Sequence, residues 1–566
     1  MTNESELMNA QKRDNLVNQV QDSSYELLII GGGVTGCGIA LDAASRGIKT
    51  VLIEKGDFAS GTSSKSTKLI HGGLRYLKQL DIGLVHESGT ERAIVNRLAP
   101  HLCLPEKMLL PLTEKGSFGK FSTSVGLWVY DFLAKVDDSD KRVMLSKKQT
   151  LEKEPLLKPE GLKGSGYYAE YRTDDARLTI ELIKKATHYG AHALSYVEAE
   201  DFFYTNGKIS GVKCIDKING TEIQLHAKYV VSASGPWVDK LRKKNNSLNH
   251  KRLHVTKGVH IVVAHDRLPL KQSVYFDIPD GRMAFAIPRG KSTYIGTTDT
   301  NFTGSTDRIV ATIEDRDYLL KAVNNVFRGV GLTEYDIISN WAGVRPLIHE
   351  EGKSPSELSR KDEIFTADDG LISIAGGKLT GYRKMSERVV DIVGQRLGRD
   401  GLNVGKSKTE HIALTPDPFV SNQEVSDYIS ALESTVEALG LDTYFAWYLV
   451  TNYGKQSAQI LKSISAGTNA GELELAIAEA KFCIENELVV RAEDFFVRRT
   501  GRLYFDRLSI DEIREGVIAY MADQLEWSKE RIEEENRRLD LLIKDATTFY
   551  ESENIPSIEE LVKSHD

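Results

Sequence analysis

The chain has 566 residues, a formal net charge of −8, 41% hydrophobic residues and 27% charged residues. This length exceeds what one hydrophobic core usually supports, so two or three domains are predicted. The negative charge offers no basic field for nucleic acid, and the scattered cysteines (Cys37, Cys103, Cys214 and Cys483) have no spacing typical of a metal site or disulfide framework, which favours a reducing cytosol.

The first 24 residues are polar and are expected to form a tail or a short polar helix. They lack the apolar core of a signal peptide, and no apolar run in the chain approaches the ~20 residues of a membrane-spanning helix. Any membrane contact is therefore predicted to lie at the membrane surface.

A strand, a glycine turn, a helix and a second strand follow from Tyr25 onward. An apolar run at 27–30 leads into Gly31-Gly32-Gly33-Val34-Thr35-Gly36, a helix of small residues runs to Arg46, and the second strand covers 50–53. This βαβ order predicts a parallel sheet, and the glycine turn satisfies the G-x-G-x-x-G pattern of dinucleotide-binding folds.

The glycine turn has a physical reason at each position. Gly31 allows the tight turn, Gly33 lets a pyrophosphate approach the backbone, and Gly36 lets the helix pack on the strand. The helix N-terminus offers N–H groups and a positive dipole end to phosphates. Glu54 ends the second strand, where it can accept a hydrogen bond from a ribose hydroxyl and would repel the 2′-phosphate of NADP. NAD and FAD remain open.

Later segments are less distinctive by themselves. The loop at 61–68 is rich in hydroxyl groups and lysines, and its composition alone is that of a solvated loop. From about 100 to 345, β-like runs such as 208–215, 255–263 and 293–296 predict an antiparallel sheet inserted into the first domain. Beyond a proline-containing linker at 411–419, Ser509 and Glu512 fit a capping box, and helical patterns predict a cap domain.

A series of short motifs carries a resemblance to a known family. They lie at 42–47, 62–64, 68–77, 99–102, 174–178, 235–237, 257–263, 295–299, 343–347, 354–355 with Arg360, 376–380 and 382–384. In this order they resemble the FAD-dependent, quinone-linked (aerobic) glycerol-3-phosphate dehydrogenases. The resemblance runs from about Tyr25 to the end of the chain.

The resemblance implies an α/β fold of three parts after an N-terminal tail at 1–24. A glutathione-reductase-like FAD-binding Rossmann domain would comprise 25–100, 165–240 and 340–400. An inserted antiparallel β-sheet substrate domain would comprise 101–164 and 241–339. A helical C-terminal cap domain would comprise 410–566.

The resemblance also implies the activity and its surroundings. The cofactor would be FAD, and sn-glycerol 3-phosphate would be oxidised to dihydroxyacetone phosphate in glycerol catabolism. Electrons would pass to a membrane quinone, menaquinone or ubiquinone. The implied location is the cytoplasm, with peripheral contact on the inner face of the cell membrane; a homodimer stays open, and neither a metal nor nucleic acid is expected.

The implied cofactor contacts combine the glycine turn with later motifs. They are Gly31, Gly32, Gly33, Val34, Thr35, Gly36, Glu54, Lys55, Thr62, Ser63, Ser64, Lys68, Leu69, His71, Gly72, Gly235, Gly377, Lys378, Leu379 and Thr380. Residues 371–375 read as a strand, and 376–380 open a helix whose N-terminus and lysine would favour the negative charge of reduced flavin.

The implied substrate site needs cations and a base. A phosphate of roughly −1.5 to −2 charge calls for several cations, preferably guanidinium groups. The hydroxyl proton needs a base, and His71 is a candidate, with a role as a hydrogen-bond partner of the cofactor equally open. The predicted catalytic residues are His71, Arg75, Arg345 and Lys378. The predicted substrate-binding residues are Arg75, Tyr76, His260 (also a weaker candidate base), Arg345, Arg360, Lys378 and Thr380.

Two other functions stay open at this point. A sibling oxidase would pass electrons to oxygen and release hydrogen peroxide, although the absence of an extra segment between Lys361 and Leu371 favours the dehydrogenase. A non-catalytic FAD-binding interaction protein would need no cluster of cations. Residues 115–135 interleave lysines with apolar residues, which is typical of an interfacial segment or of a helix with one buried face.

Overall fold

The computed structural model describes residues 7–70, 82–114, 141–248, 251–349, 362–464 and 470–556. The strands are β1 (Ser24–Ile30), β2 (Thr50–Ile53), β3 (Leu69–Ile70), β4 (Cys103–Thr113), β5 (Val143–Ser146), β6 (Leu162–Thr173), β7 (His192–Leu194), β8 (Val197–Thr205), β9 (Lys208–Asp216), β10 (Glu222–Ser232), β11 (Leu253–Ala264), β12 (Ser273–Asp277), β13 (Met283–Arg289), β14 (Ser292–Gly296), β15 (Thr300–Asn301), β16 (Ile337–Ile348), β17 (Asp362–Thr366) and β18 (Ile372–Gly376).

The α-helices are α1 (Arg13–Gln21), α2 (Val34–Ser45), α3 (Ile82–Leu98), α4 (Lys147–Lys153), α5 (Asp175–His188), α6 (Val238–Lys244), α7 (Ile313–Val326), α8 (Tyr382–Arg399), α9 (Asn422–Ala438), α10 (Tyr444–Tyr453), α11 (Ser457–Lys462), α12 (Glu472–Asn486), α13 (Arg502–Phe505), α14 (Arg507–Gln524) and α15 (Lys529–Thr547). A π-helical turn covers Asp494–Arg499. Among these helices, none is long and apolar enough to cross a bilayer.

The first sheet is built around β1. Parallel pairing runs in the order β18, β10, β1, β2, β7, with β17 antiparallel on β18 and the β8–β9 hairpin antiparallel on β10. Leu27 and Ile29 face the layer of α2, α5 and α8, whereas Leu28 and Ile30 face α1. Because both faces are covered, the strand is a continuous apolar run. The predicted βαβ unit and the α/β class are confirmed.

The second sheet is the predicted antiparallel insertion. Its order is β15, β11, β14, β13, β12, β4, β6, β3, with β16 on β11 and β5 on β6, and β12 is parallel to β4. Its membership differs from the expected boundaries. β6 and β16 belong to this sheet, although 165–173 and 340–348 were expected in the first domain. β9 (208–216) belongs to the first sheet, in agreement with the expected boundary at 165–240, although its pattern alone had indicated the inserted sheet. An alternating pattern identifies a strand and its buried face, but long-range pairing chooses its partner.

The C-terminal part is helical from α9 to α15, as predicted, and packs into one core. The capping-box prediction was wrong. α14 begins at Arg507 after Asp506, and Ser509 lies in its first turn with its hydroxyl donating to the Asp506 carbonyl at 2.8 Å.

The N-terminal segment from residue 7 packs on the first sheet and does not form a tail. Leu16, Val17 and Val20 of α1 are buried. The Arg13 guanidinium donates two hydrogen bonds to Asp216, at 2.8 and 2.9 Å. This buried pair fixes the helix to the end of β9.

The cap and the first domain meet through buried ion pairs. The Asp57 carboxylate, which is fully buried, accepts hydrogen bonds from Arg499 at 2.7 and 2.9 Å and from Arg498 at 2.5 Å. Arg177 of α5 donates to Glu487 at 2.6 and 2.8 Å. Both arginines on Asp57 come from the π-helical turn.

Candidate active site

A cavity of about 470 Å³ lies at the carboxyl ends of β1, β10 and β18 and extends to β11 and β16 of the second sheet. Open α/β sheets bind ligands at this edge, in cavities of this general size. Its walls contain the glycine turn at one side and Arg345 and Lys378 at another. Motifs more than 300 residues apart in the chain therefore share one cavity.

The glycines of the turn are required by close packing. A Cβ on Gly31, whose φ is +114°, would lie 2.5 Å from the Ala233 carbonyl oxygen, and a Cβ on Gly36 would lie 1.9 Å from the Gly31 carbonyl oxygen. Gly33 lines the cavity, and its Cβ would lie 3.2 Å from Ser63 Oγ. Side chains at these positions would separate α2 from β1 or fill the approach to its N-terminus.

The N-terminus of α2 faces the cavity. Gly33, Val34 and Thr35 line it, and the Val34 N–H donates to Ser63 Oγ at 3.0 Å. Backbone N–H groups and the helix dipole at this end favour a phosphate. The geometry fits the pyrophosphate of a dinucleotide.

Glu54 also lines the cavity and supports the turn. Its carboxylate accepts hydrogen bonds from the N–H groups of Gly32 at 2.6 Å and Gly56 at 2.9 Å. Burial raises the pKa of Glu54, and the two backbone N–H groups oppose that shift. The predicted ribose contact stays a prediction.

Most of the remaining predicted cofactor residues lie at the cavity wall. They are Lys55, Thr62, Ser63, Leu69, Gly235, Gly377, Lys378, Leu379 and Thr380.

Gly32, Gly36, Ser64 and Lys68 do not line the cavity. The two glycines are packing positions, and the Ser64 hydroxyl lies 3.5 Å from the Gly61 carbonyl. The Lys68 ammonium donates to Asp175 at 2.5 Å and to the Ser64 carbonyl at 3.2 Å. Its charge is thus paired with Asp175 in this structure, and the predicted cofactor contact of Lys68 stays a prediction.

Lys378 reaches the wall through a turn of two glycines. Gly376 and Gly377 have φ of +75° and +78°, which is the left-handed region that favours glycine. A short 3-10 turn, Leu379–Gly381, then leads into α8. Lys378 Nζ lies 3.5 Å from Ser88 Oγ of α3. A cation and a helix start therefore adjoin the same side of the cavity.

Arg345 is held on the second sheet. It lies on β16 and its guanidinium covers Gly258 of β11, where a Cβ would lie 2.6 Å from Nη2. Nη2 donates to Thr297 Oγ1 at 3.1 Å, and Nη1 lies 3.4 Å from Asp299 Oδ1. The guanidinium is thereby fixed at the wall, where it can bind an anion.

His260 lies behind the wall and does not line the cavity. Its ring stacks on Trp341 with centroids 4.6 Å apart, and Nε2 lies 3.0 Å from Thr67 Oγ1. Burial lowers the pKa of His260 well below its usual value, and Arg345 and Lys68 lower it further. β11 directs its ring toward Trp341, and its predicted place among the substrate-binding residues stays a prediction.

Several predicted residues lie outside the described part of the chain. These are His71, Gly72, Arg75, Tyr76 and Arg360, together with 115–135. Their roles stay predictions.

Other wall residues were missed by sequence reasoning. Thr67 belongs to the hydroxyl-rich loop at 61–68, and Trp237 belongs to the motif at 235–237. Both could therefore have been predicted as cavity residues from the sequence. Residues 197–200 at the start of β8 also line the cavity, but they carry no motif.

A segment of the second domain, residues 302–312, reaches across to the cavity wall and is called the strap below. Asp307 accepts hydrogen bonds from Lys55 Nζ and Trp237 Nε1, both at 2.8 Å, and Lys55 Nζ lies 3.9 Å from the centre of the Trp237 ring. The next residue, Arg308, donates to Asp545 of α15 at 2.6 Å. The strap therefore joins the cavity wall to the cap.

Two family models match the chain. Residues 26–383 match the model described as FAD dependent oxidoreductase, and residues 422–532 match the C-terminal domain of alpha-glycerophosphate oxidase. The aerobic glycerol-3-phosphate dehydrogenase of Bacillus subtilis (strain 168) is 48% identical over 540 residues, which cover 94% of this chain and 97% of that protein.

Solved structures agree with these matches. The glycerol-3-phosphate dehydrogenase from Bacillus halodurans, complexed with FAD, has a TM-score of 0.81 at 42% identity and covers 96% of this chain and 99% of its own. The L-alpha-glycerophosphate oxidase from Mycoplasma pneumoniae, with FAD bound, has a TM-score of 0.54 at 17% identity and covers 70% of this chain and 98% of its own. The second likeness is one of fold alone.

Proposed function

Because the chain belongs to the FAD-dependent oxidoreductases, and within them to the aerobic glycerol-3-phosphate dehydrogenases, we propose that it oxidises sn-glycerol 3-phosphate to dihydroxyacetone phosphate and passes the electrons to a membrane quinone. FAD is its cofactor. The observation that carries the proposal is that the glycine turn, Arg345 and Lys378 line one cavity.

The cavity residues fit FAD. The amide groups of Gly33 to Thr35 would hold the pyrophosphate, since glycine at 33 leaves the approach to α2 open. Glu54 would hold the ribose at one side, and Lys378 to Thr380 would hold the redox-active ring at the other. When bound, FAD supplies an acceptor for the hydride that leaves C2 of the substrate.

Side chains of the protein stabilise the negative charge of the substrate and accept its hydroxyl proton. Oxidation breaks the C2–H bond and the O–H bond, so the hydroxyl proton must pass to a base while the oxygen becomes a carbonyl. Arg345 orients the hydroxyl and stabilises negative charge that develops on its oxygen. Lys378 adds a second cation near the substrate phosphate. His71 remains our candidate base, and the buried neutral His260 is a poor one.

The preference for a quinone over oxygen rests on the chain between β17 and β18. Residues 367–371 alone join these strands, so this connection does not contain the extra segment expected of the sibling oxidases. We propose that quinone reduction occurs in peripheral contact with the inner face of the cell membrane, in glycerol catabolism.

The test is an anaerobic stopped-flow titration of the yellow protein with glycerol 3-phosphate. We expect rapid bleaching near 450 nm in the wild type and in Arg267→Ala, a surface variant that loses only its pair with Asp336. Arg345→Ala should keep FAD but bleach at least 100-fold more slowly, because hydrogen bonds to charged groups contribute about 1.5–3 kcal/mol each. Normal bleaching in Arg345→Ala would remove Arg345 from the mechanism.

A second mixing step identifies the acceptor. Rapid recovery of the yellow colour with a menaquinone analogue, and slow recovery in air, supports the dehydrogenase. Recovery in air at turnover speed, with hydrogen peroxide released, would instead establish the oxidase. If glycerol 3-phosphate bleaches no sample, the proposed substrate is wrong.

A further inference from the structure

Thr67 is a cavity-wall residue whose backbone is fixed from several sides. The Tyr294 hydroxyl donates to the Thr67 carbonyl at 3.0 Å, and Trp341 Nε1 donates to the neighbouring Ser66 carbonyl at 3.3 Å. On the other side, the Ser66 N–H donates to Asp175 at 3.0 Å. Groups held this firmly lose little conformational entropy when they bind a ligand.

The hydroxyl of Thr67 has one partner among the described residues, the buried ring of His260. Nε2 of that ring lies 3.0 Å from Thr67 Oγ1, while Nδ1 has no hydrogen-bond partner within the described chain. A Cβ on Gly296 would lie 2.1 Å from the ring, so that glycine makes room for it. The stack on Trp341 fixes the plane of the imidazole.

The charge state of His260 follows from its surroundings. The ring is 1% exposed and has the cations Arg345 and Lys68 as neighbours, so it is neutral and carries one N–H. A proton on Nδ1 would be a buried donor without an acceptor, which native proteins rarely tolerate. Because Nδ1 has no acceptor among the described residues, the favoured tautomer carries its proton on Nε2, from which His260 donates to the oxygen of Thr67.

This arrangement decides where the Thr67 hydroxyl hydrogen points. With its oxygen accepting from His260, the O–H does not point back at that nitrogen, and the cavity that Thr67 lines is where it can meet a ligand. Arg345 lines the same cavity and is close enough to His260 to affect its charge. The wall thus offers a neutral donor near a cationic one.

We propose that Thr67 is a ligand-positioning residue: its hydroxyl donates a hydrogen bond to an acceptor oxygen or nitrogen of the molecule bound in the cavity, and His260 acts through it by fixing the direction of that donation. Two bound species carry such acceptors, the flavin ring and the oxidised substrate. The inference rests on the proposed function for the substrate and on FAD binding for the ring.

The experiment compares Thr67→Val, which keeps the shape and loses the hydroxyl, with Thr67→Ser, which restores it. Thr205→Val is the control, because Thr205 lies exposed at the end of β8, where its hydroxyl donates to Ser210 Oγ at 3.0 Å. One arm measures the FAD spectrum and midpoint potential without substrate. The other measures the concentration dependence of flavin reduction by glycerol 3-phosphate.

A hydrogen bond between neutral groups predicts a change of about 3- to 10-fold on loss of the hydroxyl. A change of this size in apparent substrate affinity with an unchanged potential assigns the acceptor to the substrate. A shifted potential or spectrum without substrate assigns it to the flavin. In both cases Thr67→Ser should recover most of the loss. Equal behaviour of Thr67→Val and wild type in both arms overturns the proposal.

The part of His260 is tested by a double-mutant cycle. His260→Phe should reproduce part of the Thr67→Val effect in the wild type and add nothing in the Thr67→Val background. An equal effect in both backgrounds would show a structural role only and overturn the part assigned to His260. If glycerol 3-phosphate does not reduce the wild type, the proposed function has failed. In that case the midpoint potential of the flavin tests the role of Thr67 by itself. An equal potential in Thr67→Val and wild type overturns that role.

Discussion

Substituting Gly258 by alanine tests whether the position of Arg345 matters, without removing its charge. Gly258 has an ordinary backbone conformation, so alanine introduces no strain of its own. The added methyl would lie 2.6 Å from Arg345 Nη2 and 2.6 Å from Thr297 Oγ1, whereas ordinary contacts begin at 3.4 Å. The guanidinium must therefore move by about 0.8 Å from its place on β11.

A displacement of about 1 Å of a group that orients the substrate costs about 100-fold in rate. We therefore expect kcat/KM for glycerol 3-phosphate to fall by about that factor, which is roughly 2.7 kcal/mol of transition-state stabilisation. The assay is stopped-flow flavin reduction, with the ratio of flavin to protein absorbance confirming that the cofactor stays bound.

Gly398→Ala is the matched control, since a Cβ there meets nothing within 4 Å on α8. It should keep full activity and gain about 0.5–1 kcal/mol of stability, because alanine replaces glycine inside a helix. In the Arg345→Ala background, Gly258→Ala should cost nothing further. Wild-type kinetics for Gly258→Ala would refute the argument that the placement of Arg345 limits the reaction.

Three further changes probe the rest of the molecule. Gly36→Ala would place a methyl 1.9 Å from a backbone carbonyl, so the purified protein should lose bound FAD, measured by its visible absorbance; a fully yellow variant would contradict the packing argument. Asp57→Asn should lower the free energy of unfolding by about 3 kcal/mol at pH 7, the low end for breaking a buried ion pair, because it removes the carboxylate that both arginines share while Asp494 still pairs with Arg498 at 2.8 Å and Glu487 lies 3.5 Å from Arg499. Although burial raises the pKa of Asp57, the two arginines outweigh it and hold that pKa below its usual value, so the stabilisation is present above about pH 4 and is lost in stronger acid. Thermal unfolding at pH 7 and below pH 4 should thus show a difference in melting temperature between wild type and Asp57→Asn that becomes smaller in acid. A difference that stays constant would contradict the assigned role of Asp57. Asp307→Asn should speed FAD release by up to about fivefold; the effect is small because the ion pair with Lys55 is largely exposed. Release is followed by flavin fluorescence after dilution. An unchanged rate would show that the strap does not retain the cofactor.

The parts of the fold that could be predicted from sequence are those with local causes. The turn at Gly31 and Gly36 is required by contacts within one βαβ unit, so its residues carry the signal themselves. The same holds for the turn before Lys378, where two glycines with positive φ stand next to each other. The place of Arg345 at the cavity wall was predicted from the family resemblance. No local sequence pattern around Arg345 indicates its contacts across the fold.

The contacts that sequence patterns could not show are non-local. Lys68 resembles a phosphate ligand within its loop, but its partner Asp175 lies 107 residues further along the chain. His260 resembles a site residue on its strand, but the glycine at 296 and the ring of Trp341 draw it behind the wall. For the first 24 residues the choice between a tail and a short polar helix stayed open, because Asp216, the partner of Arg13, lies 203 residues away.

The strap links the end of the chain to the cavity wall. Arg308 is bound by Asp545 and stacks near Tyr550, and the backbone of Tyr550 pairs with Ala311 at 3.1 Å. Asp545 is synthesised 237 residues after Arg308, so while the first two domains fold the strap has its contacts with Lys55 and Trp237 but lacks its attachment to the cap. The attachment of the strap to the cap is therefore the last of its contacts to form during synthesis. A protein truncated before Asp545 would lack this attachment.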